Sequence, residues 1–175
     1  MAAPALTRRA ALWAGGAAAL ALAVMAGLGD DRAQQLVAHE PQGPLRDWPA
    51  DARPTIELRR GPAQRQVVRG AQGWTAQPPL AATDLDTRAE MLMRLLRNTP
   101  AERGFDAATP EFGLDASALA VRVQAAGQPT FEIAFGAVNP IGLARYVRWR
   151  MGDAAPAVAL MPGYVAEAAE RLLAP

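Results

Sequence analysis

The sequence predicts an α+β protein: an antiparallel β-sheet carrying two packed amphipathic helices, preceded by one N-terminal membrane helix. Three observations lead there. Ala10 to Leu28 is an apolar run without a single charge. From Thr55 onward, short segments alternate apolar and polar residues, the period of a half-buried strand. Twice, at Thr55 to Asn98 and at Leu119 to Leu173, a group of such segments leads through a proline into an amphipathic helical stretch. This repeat is readable as a duplicated strand-strand-strand-helix unit, although residue-by-residue similarity between the halves is low.

The N-terminal run sets the location. Its nineteen residues would make a helix roughly 28 Å long, close to the hydrocarbon thickness of a bilayer. The leucines, Trp13, Val24 and Met25 carry most of the transfer energy, because alanine and glycine drive insertion weakly. Arg8 and Arg9 precede the run; Asp30 and Asp31 follow it. Arginines stay on the cytoplasmic side, so residues 1–9 are expected in the cytoplasm and the chain beyond residue 28 outside it. The preferred reading is an uncleaved anchor. The alternative is a signal peptide cut after a small-residue site such as Val24-Met25-Ala26 or Ala21-Leu22-Ala23. Thr7-Arg8-Arg9-Ala10-Ala11-Leu12 also resembles a twin-arginine export signal.

Gly29 to Pro54 reads as a linker, broken by Pro41, Pro44, Pro49 and Pro54. Leu36-Val37 and Trp48 interrupt it and either pack on the domain or lie at the membrane interface. The folded domain is expected over residues 55–175. Thr55 to Arg59 alternates around Ile56 and Leu58. A turn at Gly61-Pro62 leads to a strand over Gln64 to Arg69, and Gly70 to Gly73 leads to a third over Trp74 to Ala76. A helix follows. Thr83 is its expected cap, with Asp86 in the capping-box position and both Asp84 and Asp86 at the positive end of the dipole. Leu85, Ala89, Leu92 and Leu96 share one face, Glu90 and Arg94 form an i,i+4 pair, and Asn98-Thr99-Pro100 stops the helix.

Ala101 to Pro110 reads as irregular, and Glu111 to Asp115 as a compact turn. Leu119, Val121 and Val123 alternate with polar or small residues, as do Phe131, Ile133 and Phe135 beyond a hairpin loop at Ala125 to Pro129. Each such strand shows one apolar face. A turn-rich stretch around Asn139-Pro140 precedes strands over Arg145 to Met151 and Ala157 to Met161. Pro162 opens the last helix, where its missing N–H costs nothing. Val165, Ala168, Ala169 and Leu172 form that helix's buried side.

Composition narrows the function classes. The chain has 175 residues, 18 basic and 17 acidic, and every basic residue is arginine. The charge is near balance and interspersed, which argues against a nucleic-acid partner. There is no cysteine, so disulfides and thiolate metal sites are excluded.

In order along the chain, Gly73-Trp74, Pro78-Pro79, the Asp84/Asp86 helix start, Phe112-Gly113-Leu114-Asp115, Phe135-Gly136, Asn139-Pro140, Arg145-Tyr146-Val147 and Val158 to Pro162 resemble the bacterial domain of unknown function 4340 family. The resemblance spans Thr55 to Leu173. It implies one N-terminal membrane helix, a domain outside the cytoplasm and no assigned catalytic residues. Many members look longer, with repeated copies; this chain has room for one. The implied location is the bacterial inner membrane, single-pass, with the domain periplasmic; the alternative is a soluble periplasmic protein after cleavage.

The residue types for chemistry are sparse. His39 is the only histidine and lies in the proline-rich stretch; Ser117 is the only serine. Joining them in a hydrolase site would need the linker to fold back. Asp84 and Asp86, two apart on a helix, do not face each other. No phosphate loop, zinc spacing or calcium loop occurs. The best surface candidate is Arg145 to Arg150. There Tyr146, Arg148 and Arg150 share one strand face and Arg145, Val147 and Trp149 the other; Arg and Tyr suit interface hot spots. The expectation is a non-catalytic, cofactor-free accessory or scaffolding subunit. Residues 10–28 hold it in the membrane, and it binds another membrane or envelope protein through Tyr146, Arg148 and Arg150. The rival is an exported, cleaved domain binding a small molecule or glycan in a groove between sheet and helices. An enzyme using Asp, Glu and Arg alone is a third, less favoured class.

Overall fold

Alternating burial defines the strands. β1 (Thr55–Arg60) buries Ile56 and Leu58, β2 (Ala63–Gly70) Arg65 and Val67, and β3 (Gly73–Gln77) Trp74. β4 is a two-residue strand, Gly104–Phe105. β5 (Leu119–Gln124) buries Leu119, Val121 and Val123; β6 (Phe131–Val138) buries Phe131, Ile133 and Phe135. β7 (Ala144–Met151) contributes Val147 to the core, and β8 (Ala157–Pro162) contributes Ala159 and Met161. The computed structural model describes residues 42–79, 83–106 and 108–174. It joins the strands into one sheet in the order β3-β2-β1-β5-β6-β7-β8-β4, antiparallel throughout. Two meanders, β1–β3 and β5–β8, thus meet side by side at the β1–β5 pair. The halves hold three and four strands, so the second is not a literal copy of a three-strand unit. The membrane segment expected at 10–28, the first part of the linker and His39 lie outside the described residues. Among the described residues, no helix is long and apolar enough to cross a membrane.

Both helices cover one face of the sheet. α1 (Leu85–Asn98) buries Ala89, Leu92, Met93 and Leu96; α2 (Gly163–Leu173) buries Val165, Ala166, Ala168, Ala169 and Leu172. α2 lies over β1, β2, β5, β7 and β8, and α1 packs against α2 and β3. The apolar side chains of both helices and of the covered sheet face form one continuous core. The space between the covered sheet face and the helices is therefore largely filled, and a smaller cleft of about 370 Å³ opens beside α1, lined by Pro54, Arg69, Glu90, Met91 and Arg94 among others.

Three local expectations change. Asp84, not Thr83, occupies the α1 N-cap position, and it makes no side-chain capping bond. Its carboxylate instead forms an ion pair with Arg88 at 2.9 Å, while Asp86 accepts the Trp74 backbone N–H at 2.6 Å and ties the helix start to β3. Glu90 does not take Arg94: it forms an ion pair with Arg69 and accepts from the Trp74 indole, both at 3.1 Å. Within Ala101 to Pro110, read as irregular, β4 pairs with β8 at the sheet edge.

The linker also ends earlier than residue 54. Leu45 and Trp48 are buried in the main core. The Gly43 N–H donates to the Arg97 carbonyl at 2.8 Å and the Leu45 N–H to the Leu96 carbonyl at 3.1 Å. Those carbonyls belong to the last turn of α1, which has no intrahelical donors for them. A Cβ on Gly43 would overlap the Leu96 carbonyl, so glycine is required for this approach. The folded unit therefore takes in residues from 42, not 55.

Candidate functional site

The sheet face opposite the helices is only partly covered. A 3-10 turn, Pro110–Phe112, runs into Gly113, whose φ of 61° is left-handed. This loop lays Phe112 and Leu114 against Val158, with Phe105, Ala134 and Tyr146 around them. Phe112 stacks on Tyr146 with ring centroids 4.0 Å apart and planes 9° from parallel. A Cβ on Gly136 would overlap the Phe112 carbonyl, so β6 gives the loop its seat by lacking one. Gly113, Leu114, Gly136 and Tyr146 thus hold this cover in place.

The remainder of that face is an open groove of about 1000 Å³, lined from Pro78, after β3, to Pro156, before β8. Strand register arranges its side chains in two rows. One row runs Gln77, Gln66, Glu57, Arg122, Glu132, Arg150 across six adjacent strands. Its charges alternate: Glu132 accepts a hydrogen bond from Arg150 at 2.7 Å and forms an ion pair with Arg122 at 3.5 Å. The hydrogen bond from Arg150, reinforced by the nearby charges of Arg150 and Arg122, holds the Glu132 carboxyl below its ordinary range against a smaller opposing effect of burial. Arg150 is correspondingly held above the usual arginine value, first by that same bond.

The second row runs Gln64, Arg59, Ala120, Ala134, Arg148, Val158. Arg59 and Arg148 are both exposed and line the groove. Among the described residues neither takes part in an ion pair. Between them stand the single methyl groups of Ala120 and Ala134, both half-buried, with Ala134 at the margin of the aromatic cover.

The three residues expected to form a partner surface separate. They share one sheet face, as strand geometry demands, but Tyr146 is half-buried in the aromatic cover rather than displayed. Arg150 is exposed but committed to Glu132. Arg148 is exposed and makes no ion pair among the described residues. On the opposite face, Trp149 packs toward Phe131, and Arg145 reaches Glu170 of α2 at 3.4 Å. Arg59, Glu57, Gln64, Gln66 and Gln77 join the groove through register alone, which a single strand's alternation does not reveal.

A second exposed feature is the β6–β7 connection. The Asn139 side-chain carbonyl accepts from the Leu143 and Ala144 N–H groups at 3.2 and 3.1 Å, closing the loop. At its tip Ile141 and Leu143 are 78% and 77% exposed, with Val138 and Tyr164 also exposed. Two large aliphatic side chains are thus displayed on a braced loop.

The other sequence candidates have structural partners. Ser117 donates its hydroxyl and backbone N–H to the Asp115 carboxylate at 2.6 and 2.8 Å, a local turn before β5. Those bonds from Ser117 hold the Asp115 carboxyl below its ordinary value. Asp84 and Asp86 are engaged as described above. Among the described residues, no three His, Asp or Glu side chains come together as a metal site. The groove offers guanidinium, carboxamide and carboxylate groups: donors and charges for binding, without a side-chain nucleophile such as serine or a histidine base. No protein-family model, curated protein or solved structure matches the chain.

Proposed function

We propose that the chain is a membrane-anchored, extracytoplasmic accessory or scaffolding subunit that binds another membrane or envelope protein through the helix-free sheet face. The observation that carries this reading is the open groove, a charged, Arg- and Gln-lined surface left uncovered beside the aromatic loop. The apolar run at 10–28, with arginines before and aspartates after, supports the location. The displayed Ile141 and Leu143 add a surface of the kind that protein contacts cover. The kinship with the domain of unknown function 4340 family is part of the same proposal; its support is the ordered set of motif residues.

The test uses the full chain in the membranes of its bacterial host. A photo-crosslinking side chain replaces Gln66 in the groove, or Glu167 on the exposed side of α2 as the control. The expected result is a crosslink to one envelope or membrane protein from Gln66 and none from Glu167, with the chain recovered at full mass in the membrane fraction. Equal crosslinking from both positions, or none from Gln66, overturns the partner reading. A shortened, soluble chain overturns the anchor and favours the exported ligand-binding domain.

A further inference from the structure

The charge arrangement of the groove specifies more than a binding surface. On the helix-free face Glu132 is shared by Arg122 and Arg150, and Glu57 lies in register beside Arg122 on the neighbouring strand. That row is close to self-neutralised. Arg59 and Arg148 have no such partner among the described residues, so the uncompensated positive charge of the groove sits in the second row, on either side of Ala120 and Ala134. Two exposed guanidiniums flanking methyl groups leave room for a chain to lie between them, with bidentate donors for carboxylates.

The dimensions select the occupant. Arg59 and Arg148 stand on β1 and β7, three strand spacings apart, or roughly 14 Å at about 4.8 Å each. An extended chain advances about 3.3 Å per residue and turns alternate side chains to the same side. Residues i and i+4 of such a chain therefore face the same way about 13 Å apart, matching the two arginines; i and i+3 face opposite ways. The groove extends past this pair toward Gln64, Gln66 and Gln77, whose carboxamides can both donate to and accept from a peptide backbone. A small dicarboxylate would leave the glutamine side of the groove unfilled.

We infer that the groove binds an extended acidic segment of the partner protein, with two carboxylate side chains at positions i and i+4 held by Arg59 and Arg148. This rests on the partner-binding reading above and names the chemistry of the partner. It is a charge-complementary contact, so it weakens as salt rises.

The probe is a fluorescein-labelled, end-blocked peptide, Gly-Thr-Glu-Thr-Ala-Thr-Glu-Thr-Gly, followed by anisotropy against the full-length protein in detergent at low ionic strength. Two comparison peptides carry glutamine in place of both glutamates or the glutamates three apart, and a third measurement adds succinate as a competitor to the original peptide. The expected result is saturable binding of the i,i+4 peptide and at least tenfold weaker binding of the glutamine and i,i+3 forms. Equimolar succinate fails to compete. Arg59→Gln and Arg148→Gln each weaken binding about tenfold, and Arg94→Gln on α1 leaves it unchanged; matching thermal melts show that the variants fold. Equal binding of the glutamine or i,i+3 peptide, indifference to both arginine variants, or full competition by succinate overturns the inference. If the Gln66 crosslink to a protein persists in such a case, the partner reading stands and only the acidic segment falls. If the crosslink is also absent, the partner reading falls with it.

Discussion

Arg65 holds the C-terminal end of α2: its guanidinium, buried on the helix side of β2, donates to the Leu172 carbonyl at 2.8 Å and to the Ala174 carbonyl. The final carbonyls of a helix have no intrahelical donor and carry its negative end. A cation from the sheet satisfies both needs and fixes how α2 sits across β1 and β2. Hydrogen bonds from charged groups contribute about 2 kcal/mol. Arg65→Ala should lower unfolding free energy by about that amount in urea titration, and Arg65→Lys by less. A loss below 0.5 kcal/mol, on the order of an exposed substitution, would show that the contact does not anchor the helix.

Leu45 belongs to the domain although it lies in a proline-punctuated stretch. It is fully buried, and its N–H holds the end of α1. Leu45→Ala removes buried methyl groups and should cost about 3 kcal/mol. A fragment beginning at Thr55 should melt well below one beginning at Gln42. Equal melting temperatures would return residues 42–54 to the role of a linker.

Gly136 and the Phe112 carbonyl occupy adjoining space, with no room for a Cβ. Gly136→Ala should push the Pro110–Phe112 turn off the sheet, part Phe112 from Tyr146 and cost about 2 kcal/mol, as overpacking does. Near-ultraviolet circular dichroism reports the Tyr146 environment, and its signal should fall in the variant while far-ultraviolet ellipticity is retained. An unchanged aromatic signal would mean that the loop is not seated by this glycine.

Glu132 is held in its ionised form by Arg150, with Arg122 adding to the effect. A carboxylate whose folded-state value is depressed contributes stability that is present above the unfolded value, about 4.3 for glutamate, and is lost as pH falls through the lower folded value. The carboxyl carbon of Glu132 should titrate below the ordinary glutamate range by NMR. Arg150→Gln should move that midpoint upward and reduce this residue's acid-side dependence, leaving the smaller part due to Arg122. A midpoint already in the ordinary range would show that the pair is absent in solution.

The longer strands and the two helices of the domain were legible because their evidence is local, whereas the two-residue β4 was not. Ile56 and Leu58, or Leu119, Val121 and Val123, announce a buried face within a few residues, and the register of α1 follows from Leu92 and Leu96. The groove was not legible, because Arg59 and Arg148 share a row only through three successive strand pairings. Tyr146 looked like a surface residue by alternation; its cover comes from Phe112, a distant loop residue. Thr83 looked like a cap because Asp86 follows it three residues on, but the Asp86 carboxylate has a better donor in the Trp74 N–H, brought near by the β3 fold-back. Leu45 and Trp48 were hidden by their prolines, which break regular structure without preventing burial.

The tip of the β6–β7 loop separates folding from association. Ile141 and Leu143 contribute little to the core, since both are more than three-quarters exposed. The loop is closed instead by Asn139, through its bonds to the Leu143 and Ala144 N–H groups. These bonds use the backbone, so the side chains at 141 and 143 are free to change. Ile141→Ser with Leu143→Ser should therefore alter unfolding free energy by no more than about 0.5 kcal/mol, the range of surface substitutions. The same double variant removes most of the displayed aliphatic area, and area hidden from water on binding contributes about 25 cal/mol per Å². Recovery of the partner crosslinked from Gln66 should fall severalfold while the melting temperature stays in place. Unchanged crosslinking would remove the loop from the contact surface and leave the groove to carry it alone; a large drop in stability would show that the two side chains are packed in solution.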